Sequence, residues 1–426
     1  MDRLWQDLIM KEFDVIIAGG GMVGATTALA LAKIDQQPPL KIALVESVKA
    51  DSNVSPSFDE RAVALSAASV EIYKSLGLWE ALRNIAEPIT DIHISEQNHF
   101  GFTRLAAKDY KLDALGQVIP LSETGPLLWN EIKKLKNIMA FCPNKIININ
   151  SKDEQQKSNQ VTVELETSLN DDNKNITAKL LIAADGTFSN LAQMAGIETE
   201  RQNYNQHAVI ANISTEKPHN NKAFERFTQE GPLALLPLTR SRMSLVWCQT
   251  EEHLNKTMTL GDEDFIKELQ SNFGFRLGKI TKVGKRSSYP LSLHLPNKCF
   301  KNRTLLLGNS AHTLHPIAGQ GFNIGLRDIA ALVDSTQDCL SSNKNLDFGN
   351  NEFLEKYESQ RQPDWQKTIG TTDSLVRLFS NNFLPLNSVR SKALWLIDKV
   401  PILKNKIANG AMGFAGESAR LTRGIK

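Results

Sequence analysis

The stretch FDVIIAGGGMVGATTALALAK, residues 13–33, decides which fold the rest of the chain can adopt. It begins with a short apolar run that is typical of a parallel strand buried on both faces. Gly19, Gly21 and Gly24 follow in a G-x-G-x-x-G pattern, and good helix formers come next. In such a strand-turn-helix unit the glycines allow a tight turn and the close approach of a pyrophosphate, whose charge the helix N-terminus stabilises.

A carboxylate at the end of the next strand supports this interpretation. The run LKIALVE predicts a strand that ends at Glu46, 22 residues beyond Gly24. At this offset an acidic side chain accepts hydrogen bonds from a ribose diol. A glycine-rich turn of another α/β protein is the alternative, but it leaves Glu46 without a role. We therefore predict an α/β fold with a Rossmann-like domain that binds NAD or FAD.

Two later segments bear on the choice between NAD and FAD. The first, AKLLIAADGTFSN, predicts a strand that ends at Asp185 and Gly186, where a carboxylate stands beside flexible backbone. Asp-Gly is also a common pair in plain turns, so that alternative stays open for this segment.

The second segment is GNSAHTLHPIAGQGFNIG, residues 308–325, which follows the apolar run TLLLG. It places Asn309 at the carboxyl edge of the sheet, where ligands of α/β proteins bind. Pro316 stiffens the loop, and the backbone amides of residues 319–321 can lie against a flat ligand. A helix that begins there directs its positive end at the same place. Such amides stabilise the negative charge of a reduced flavin, so the segment predicts FAD.

The two histidines of this segment, His312 and His315, have a spacing that metal sites use. However, Pro316 follows at once, and no neighbouring Cys, Asp or Glu completes a ligand set. We predict no metal site and interpret both histidines as hydrogen-bonded loop residues. No side chain stands out as a general base, and the candidates are His312, His315 and Tyr289.

The composition is that of an ordinary globular chain, with 426 residues, 41% hydrophobic and 23% charged. Its net charge of +2 gives no argument for a nucleic-acid partner. The four cysteines have neither metal nor redox spacing, which favours a reducing compartment. No signal peptide is recognisable, and no apolar run approaches the ~18 residues of a membrane span. We expect a cytoplasmic protein.

The C-terminal part is basic. Residues 377–426 contain nine Lys or Arg and two Asp or Glu, a net charge of +7, so the remainder carries −5. Such a basic amphipathic stretch can lie on the inner face of an anionic membrane or receive a lipid. It can equally pack as a helical cap or contact a second copy, and both interpretations stay open. The apolar residues in question are Leu394, Trp395, Ile397, Ile402, Leu403 and Ile407.

Strand-like segments alternate between residues 207 and 289, which predicts a mixed sheet that covers the cofactor. Residues 262–273 interrupt it as an amphipathic helix, which we interpret as a packing helix. We predict an FAD-binding domain formed by residues 13–90, 140–200 and 296–370, a substrate domain formed by 91–139 and 201–295, and a C-terminal basic amphipathic helical region at 371–426.

Taken in order, the G-x-G-x-x-G, the Asp-Gly turn and GNSAHTLHPIAGQGFNIGLRD resemble the FAD-dependent aromatic hydroxylases with the fold of para-hydroxybenzoate hydroxylase. FDERAVALSAAS, FERFTQEGPLALLPL, LVWC and TIGTTDSLVRLF resemble the ubiquinone-biosynthesis members of that family. The resemblance covers nearly the whole chain. It implies that FAD is held by Gly19, Gly21, Gly24 and Glu46 at its ADP half, by Arg61 at the pyrophosphate or the flavin edge, by Asp185 and Gly186, by Asn309 near the ribityl chain, and by Pro316, Gly319, Gln320, Gly321, Phe322 and Asn323 along the isoalloxazine.

The resemblance also implies an activity. NAD(P)H, docking transiently, would reduce FAD; O2 would add to give a C4a-hydroperoxide; one oxygen would pass to the ring of a polyprenylated phenol in ubiquinone biosynthesis. A reductase or dehydrogenase of a prenyl substrate, or a non-catalytic flavin-fold subunit of a biosynthetic complex, are the alternatives. The C-terminal region is the expected contact with a membrane surface or complex.

Overall fold

The computed structural model describes residues 12–48, 61–99, 101–150, 159–167, 174–342, 347–379, 396, 398–414 and 419–423. Within them the strands are β1 (Glu12–Ala18), β2 (Ile42–Val45), β3 (Ala62–Ser66), β4 (Glu87–Ile89), β5 (Asp91–Glu96), β6 (Phe102–Ala106), β7 (Gly116–Pro120), β8 (Ile138–Phe141), β9 (Asn144–Asn150), β10 (Val161–Thr167), β11 (Lys174–Ala183), β12 (Thr199–Thr215), β13 (Lys222–Phe227), β14 (Pro232–Leu238), β15 (Arg242–Thr250), β16 (Ile280–Val283), β17 (Ser287–Pro296), β18 (Phe300–Lys301) and β19 (Thr304–Leu306). The helices are α1 (Met22–Ala32), α2 (Ala67–Ser75), α3 (Trp79–Leu82), α4 (Leu121–Lys134), α5 (Asn190–Met194), α6 (Glu251–Thr259), α7 (Asp262–Phe273), α8 (Gln320–Ser341), α9 (Asn351–Phe379) and α10 (Pro401–Ala411).

The first large sheet has the strand order β18-β19-β11-β1-β2-β8, and β10 and β9 extend it beside β11. Its central strand β1 pairs in parallel with both β2 and β11. Successive side chains of a strand point to opposite faces, and Ile16 and Ile17 of β1 are both fully buried. Both faces of this sheet are therefore covered, as the apolar run of β1 predicts. The predicted Rossmann-like α/β fold is confirmed.

The second large sheet has the order β16-β12-β15-β14-β13-β5-β6, with β17 beside β12. Most of its pairs are antiparallel, but β13 and β5 are parallel, so the predicted mixed sheet is confirmed. Helix α7 covers its outer face, where Phe265, Leu269 and Phe273 share one buried cluster with Trp247. The interpretation of residues 262–273 as a packing helix is confirmed. The inner face of the second sheet borders a cavity described below.

The chain passes between these sheets more than once. Strands β5 and β6 belong to the second sheet, the next long helix α4 packs on α1, and β8 returns to the first sheet. A third, three-stranded sheet of β3, β7 and β4 contacts β14 and α8. The division into three regions by residue number stays a prediction.

The C-terminal part packs on the body of the protein in its described portion. Ala408 and Met412 are buried in a small cluster with Leu105, Ala107 and Leu115. Ile402 on the same helix is 80% exposed. The helix α10 therefore packs on the body as a cap, and among its described apolar side chains Ile402 and Ile407 are exposed. Leu394, Trp395 and Ile397, together with the side chain of Leu403, lie outside the described residues. No helix in the described ranges is long and apolar enough to cross a bilayer.

A buried ion-pair network joins α8 to α9. The Arg361 Nε donates to Asp328 Oδ1 at 2.7 Å, and its Nη2 donates to Asp364 Oδ2 at 2.6 Å. Trp365 Nε1 donates to Asp328 Oδ1 at 2.7 Å. Asp328 and Arg361 are only 1% and 5% exposed. Because removing one partner of a buried pair strands the other charge in a poorly solvated site, this network fixes the two helices to each other.

We predict that Asp328→Ala lowers the free energy of unfolding by about 3–5 kcal/mol, since it leaves the Arg361 guanidinium with a single partner in the interior. Urea denaturation measures this change. The matched control is Asp262→Ala, which removes a carboxylate paired with Arg286 but 67% exposed, and it is expected to change stability by about 1 kcal/mol or less. Equal effects of the two substitutions on the free energy of unfolding would contradict the conclusion that the buried network around Asp328 fixes α8 to α9.

Candidate functional site

The glycine turn after β1 is held by close backbone approach. Gly19 has a φ of +101°, and a Cβ there would lie 2.3 Å from the Ala184 oxygen. A Cβ on Gly24 would lie 1.8 Å from the Gly19 oxygen. Neither position accepts a side chain, because the first turn of α1 packs directly on β1 and on the end of β11. This packing brings the N-terminus of α1 to the carboxyl edge of the first sheet.

Glu46 lies at the end of β2 beside this turn. Its Oε2 accepts the Gly20 N–H at 2.6 Å, and its Oε1 accepts the Val48 N–H at 2.8 Å. Trp129 of α4 donates from Nε1 to the Gly20 oxygen at 3.0 Å. The backbone of Gly20 is thus held from both sides. Trp129 escapes sequence reasoning because nothing local to α4 indicates a contact with a turn more than a hundred residues away.

A cavity of about 740 Å³ opens between the two large sheets. The residues that form its polar end lie at the carboxyl edge of the first sheet and include backbone amides and two helix starts. Those predicted site residues that line it are Gly21, Arg61, Gly186, Tyr289, Asn309, Pro316, Gly319, Gly321 and Phe322. Gly19, Gly24, Glu46, Asp185, Gln320, Asn323, His312 and His315 do not line this cavity.

The loop before α8 has the backbone that its glycines predict. Gly319 is left-handed at φ 60° and caps α8, and no side chain of the described residues caps this helix. Ala318 also has a positive φ, 58°. A Cβ built on Gly321 would meet no protein atom within 4 Å. The first amides of α8 therefore lie against open cavity, free of competing side chains.

Asn323 has a different role from the one its position in the motif implies. Its Oδ1 accepts the Ser66 N–H at 2.8 Å and the Ser69 hydroxyl at 2.7 Å. Its Nδ2 donates to the Ala64 oxygen at 2.9 Å and to the Gly319 oxygen at 2.7 Å. The amide is buried and fully satisfied inside the protein. It fixes the first turn of α8 to β3 and α2, and so positions the cavity-facing amides.

His315 holds the same loop through two hydrogen bonds. Its Nδ1 accepts the Ile317 N–H at 3.2 Å, and its Nε2 lies 3.2 Å from Gln206 Oε1. A backbone N–H only donates and an amide oxygen only accepts, so the neutral Nε2–H form satisfies both contacts. Burial lowers the pKa of His315 to about 4. The ring holds the loop and has no free nitrogen to accept a substrate proton.

His312 is also enclosed by protein. Its Nε2 lies 3.8 Å from Cys299 Sγ, and its ring centroid lies 4.6 Å from that of Trp365. Burial is the main cause that lowers its pKa to about 4. The structure therefore separates His312 and His315 from the cavity that Tyr289 lines. Within the described ranges, no three His, Cys, Asp or Glu side chains are placed to hold a metal ion.

The Asp-Gly turn is connected to the residues after β19. Ser310 Oγ accepts the Gly186 N–H and donates to Asp185 Oδ1, both at 3.0 Å. Gly186 has a φ of +94° with open space where a Cβ would stand. The backbone of this turn faces the cavity, whereas the Asp185 carboxylate is engaged with protein groups. Sequence reasoning missed Ser310, although it lies in the quoted motif.

The far end of the cavity is apolar. Strands of the second sheet contribute its wall, and the lining also contains Arg61 and Tyr289, with the guanidinium carbon 4.9 Å from the ring centroid. The wall also contains one carboxylate, Glu225. The apolar lining includes Ile89, Ile92, Ile94, Leu105, Ile210, Phe227, Leu236, Val246 and Leu291, and the helices add Leu375, Ile407 and Ala411.

These features fit FAD. The N-termini of α1 and α8 meet at one cavity with glycines as their N-caps, and neither has a side-chain cap among the described residues. Helix N-termini leave N–H groups without intrahelical partners, and phosphates or a negatively charged ring satisfy them. The glycines at the start of α8 place no side chain of their own between these amides and a ligand. The donor set thus suits a dinucleotide with an attached flat ring.

Comparison with known proteins agrees with this fit. A sequence model of the FAD binding domain family matches residues 12–372. The Rhodospirillum rubrum ubiquinone hydroxylase UbiL is 30% identical over 418 residues, covering 97% of this chain and 94% of that protein. The Escherichia coli 3-demethoxyubiquinol 3-hydroxylase is 30% identical over 404 residues, covering 94% of this chain and 98% of that protein.

Among solved structures, p-nitrophenol 4-monooxygenase PnpA from Pseudomonas putida has the same fold, with a TM-score of 0.77 at 18% identity. The similarity covers 96% of this chain and 100% of that one. The long match to the family model and the identity to full-length hydroxylases lead to one assignment. The chain belongs to the FAD binding domain family and, within it, to the FAD-dependent hydroxylases that include the ubiquinone-biosynthesis enzymes.

Proposed function

We propose that this FAD-dependent monooxygenase hydroxylates the ring of a polyprenylated phenol in ubiquinone biosynthesis, with NAD(P)H and O2 as co-substrates. The observation that carries the proposal is one continuous cavity. Its lining combines the bare amides of residues 319–322, an apolar wall from the second sheet, and Ile407 and Ala411 of α10. An aromatic head beside the amides and an apolar tail along the wall match this distribution of polarity.

In this proposal FAD is held by the two helix N-termini. The turn at Gly21 receives the pyrophosphate, Glu46 stands beside the turn for the ribose, and Gly319 and Gly321 present amides to the flavin ring. Arg61 contributes a positive charge to the cavity lining. Bound FAD supplies the redox chemistry, taking a hydride from NAD(P)H and activating O2.

The residues of the chain would orient the reactants and exclude water. The four hydrogen bonds of Asn323 and the two of His315 hold the loop amides in place before any ligand arrives. Such preorganised donors stabilise developing negative charge without reorganising during the reaction. The apolar wall opposite them keeps water away from an activated oxygen species.

The substrate class is proposed from two lines of support. The relatives named above act, by their names, in ubiquinone hydroxylation. The apolar lining of the cavity includes Leu375 of α9 and Ile407 and Ala411 of α10, and we propose that a prenyl tail leaves the cavity past these residues, through a tail channel. A tail of that kind is poorly soluble in water, so the enzyme must receive it from a lipid phase or a partner.

We therefore propose that α10 is the contact with a membrane surface. Its Ile402 is 80% exposed and Phe414 just after it is 40% exposed, beside the exposed Lys406. Exposed apolar side chains interleaved with lysines bind anionic lipid surfaces. A peripheral position would place the mouth of the tail channel at the membrane.

The activity is tested by incubating FAD-loaded protein with NAD(P)H, a prenylated phenol and isotopically labelled O2. We expect one labelled oxygen in the product and O2 uptake that matches product formation. Reduction or oxidation of the prenyl compound without label would contradict a monooxygenase.

The cofactor loop is tested by Gly321→Ala. The new methyl group meets no protein atom, so stability of the FAD-free protein should not change, but the methyl enters the space assigned to the ring. We expect FAD affinity to fall roughly tenfold or more, as overpacking typically costs about 1–3 kcal/mol. Fluorescence titration measures this affinity. Gly261→Ala, an equally open glycine before α7, is the control and should leave it unchanged.

The tail channel is tested by Ala411→Phe, which adds a ring to the channel wall. We expect kcat/KM for a long-tailed phenol to fall roughly tenfold, while a phenol without a tail is used as before. Ile402→Phe is the control, because this residue lies on the same helix but outside the cavity lining. Equal losses for long and short substrates would contradict the channel.

Membrane contact is tested by Ile402→Asp. We expect less co-sedimentation with vesicles containing anionic lipid, because the substitution places a carboxylate on the lipid-facing side chain and lowers the positive charge nearby. Turnover of a tail-less phenol in the absence of vesicles should be unchanged. Undiminished vesicle binding would contradict this surface as the contact.

A further inference from the structure

Among the described residues, Glu225 is the one carboxylate in the cavity lining. Glu225 lies on β13, opposite Ile94 of β5 and Ala234 of β14. Because side chains alternate along a strand, Glu225 shares its face with Ala223 and Phe227, and all three line the cavity. The residues paired directly with Glu225 on the two flanking strands are therefore apolar, and the other carboxylate on this face of β5 is the buried Glu96, opposite Phe227.

The position of Glu225 along β13 faces the loop before α8. Phe227 belongs to a small buried cluster with Ile317, which immediately precedes the positive-φ residues of the loop. Ala223, at the other side of Glu225, belongs to a cluster that Ala62 and Ala64 of β3 join. Glu225 thus stands on the strand between two contacts with the cofactor side of the cavity.

The described part of the chain offers this carboxylate neither a hydrogen bond nor an ion pair. Desolvation is the only cause acting on it, and it raises the pKa of Glu225 to about 7. The other titratable side chains lining the cavity are Arg61 and Tyr289. Cys248 on β15 lies on the same face but is fully buried, and burial raises its thiol pKa. The strands β5, β14 and the helices α9 and α10 add only apolar groups to the lining.

An unpaired carboxylate in an apolar wall destabilises the folded protein, and an apolar residue would fill the site at lower cost. Groups of this kind are characteristic of functional sites. His312 and His315 are enclosed by protein, so among the described residues Glu225 is the carboxylate or imidazole side chain that lines the cavity and can reach a ring there.

We propose that Glu225 is the proton acceptor for the hydroxyl group of the phenol, an inference that rests on the proposed function. The O–H bond of the phenol breaks, its proton forms a new bond to a Glu225 carboxylate oxygen, and the electron pair stays on the phenol oxygen. Conjugation makes the ring carbons richer in electrons, so one of them attacks the electrophilic oxygen that the flavin chemistry provides. The new C–O bond forms as the O–O bond of the oxygen donor breaks, and the electron pair of that bond stays on the departing oxygen. The departing oxygen takes up the proton that the ring carbon loses as aromaticity returns, and the phenolate oxygen regains a proton from Glu225.

The environment makes this transfer easier than it would be for an ordinary glutamate. A phenol has a pKa of about 10, and a solvated glutamate has one of about 4.3, a gap of about 6. With a carboxyl pKa near 7 the gap shrinks to about 3. The same apolar surroundings that destabilise the carboxylate therefore make it a stronger base near neutral pH.

The test uses FAD-loaded Glu225→Gln, which keeps the shape of the side chain but cannot take the proton. We expect hydroxylation of a prenylated phenol to fall roughly 100-fold or more while FAD and phenol affinities change little, with NAD(P)H oxidation diverted to hydrogen peroxide. A fluorinated analogue that is already ionised at the assay pH needs no base. We expect the ratio of wild-type to variant rates to shrink with that analogue, which a merely structural role would not produce.

The pH profile is a second readout. Hydroxylation by the wild-type protein should rise as the pH increases through about 7, because the carboxylate is the active form. Glu225→Gln should lose this rise. The matched control is Glu96→Gln on β5, a buried carboxylate outside the cavity lining, and it should keep the wild-type profile. A constant rate ratio across phenols, or an unchanged pH profile in Glu225→Gln, would overturn the proposal.

Thermal unfolding of FAD-loaded protein without phenol gives a readout that needs no turnover. The pKa of the Glu225 carboxyl is higher in the folded protein than in the unfolded chain. The group therefore favours the folded state most at a pH below its unfolded-state pKa, and this contribution is lost as the pH rises through about 7. Glu225→Gln should therefore gain melting temperature relative to wild type above pH 7 and lose that advantage in acid. If the melting temperatures of the wild type and Glu225→Gln depended equally on pH, this would contradict the assignment of Glu225 as a desolvated carboxylate. Absence of labelled product from the wild type, by contrast, would overturn the proposed function itself.

Discussion

The four hydrogen bonds of the Asn323 amide are the constraint on which the site depends. Both acceptor positions of its oxygen and both protons of its nitrogen are used, so the first turn of α8 has one orientation relative to β3 and α2. The left-handed Gly319 and the open Gly321 can then present bare amides to the cavity. Without these four hydrogen bonds, the glycine-rich loop would sample many conformations, and each binding event would have to order the loop.

The two large sheets contribute different parts of the site. The first sheet, buried on both faces, brings two helix N-termini to its carboxyl edge and supplies the polar end of the cavity. The second sheet supplies the apolar wall and places a lone carboxylate within it. One cavity is thus lined both by backbone amides and by apolar side chains. This lining suits chemistry in which a reactive oxygen species must react with an apolar substrate before it reacts with water. The helix α10 adds Ile407 and Ala411 to the lining.

Local features of the site were predictable and longer-range ones were not. Gly19, Gly24 and Glu46 follow from spacing, because a strand, a turn and a helix are contiguous and their sterics are local. The roles of Asn323 and His315 depend on partners about 260 and 109 residues away in sequence, and their amide and imidazole groups point into the protein rather than into the cavity. Trp129, Ser310 and Glu225 carried no local signal, since each acts through a neighbour that only folding supplies.

The sequence by itself determined the βα unit, the covered parallel sheet, the mixed second sheet and the class of cofactor, since hydrophobic periodicity and glycine sterics act over a few residues. Tertiary structure decided which side chains reach the cavity. The register of β13 against β5 and β14 places the Glu225 side chain on the face it occupies, and a shift of one residue would turn that side chain to the opposite face of the sheet. That register arises from packing across both sheets, which no single stretch of the chain encodes.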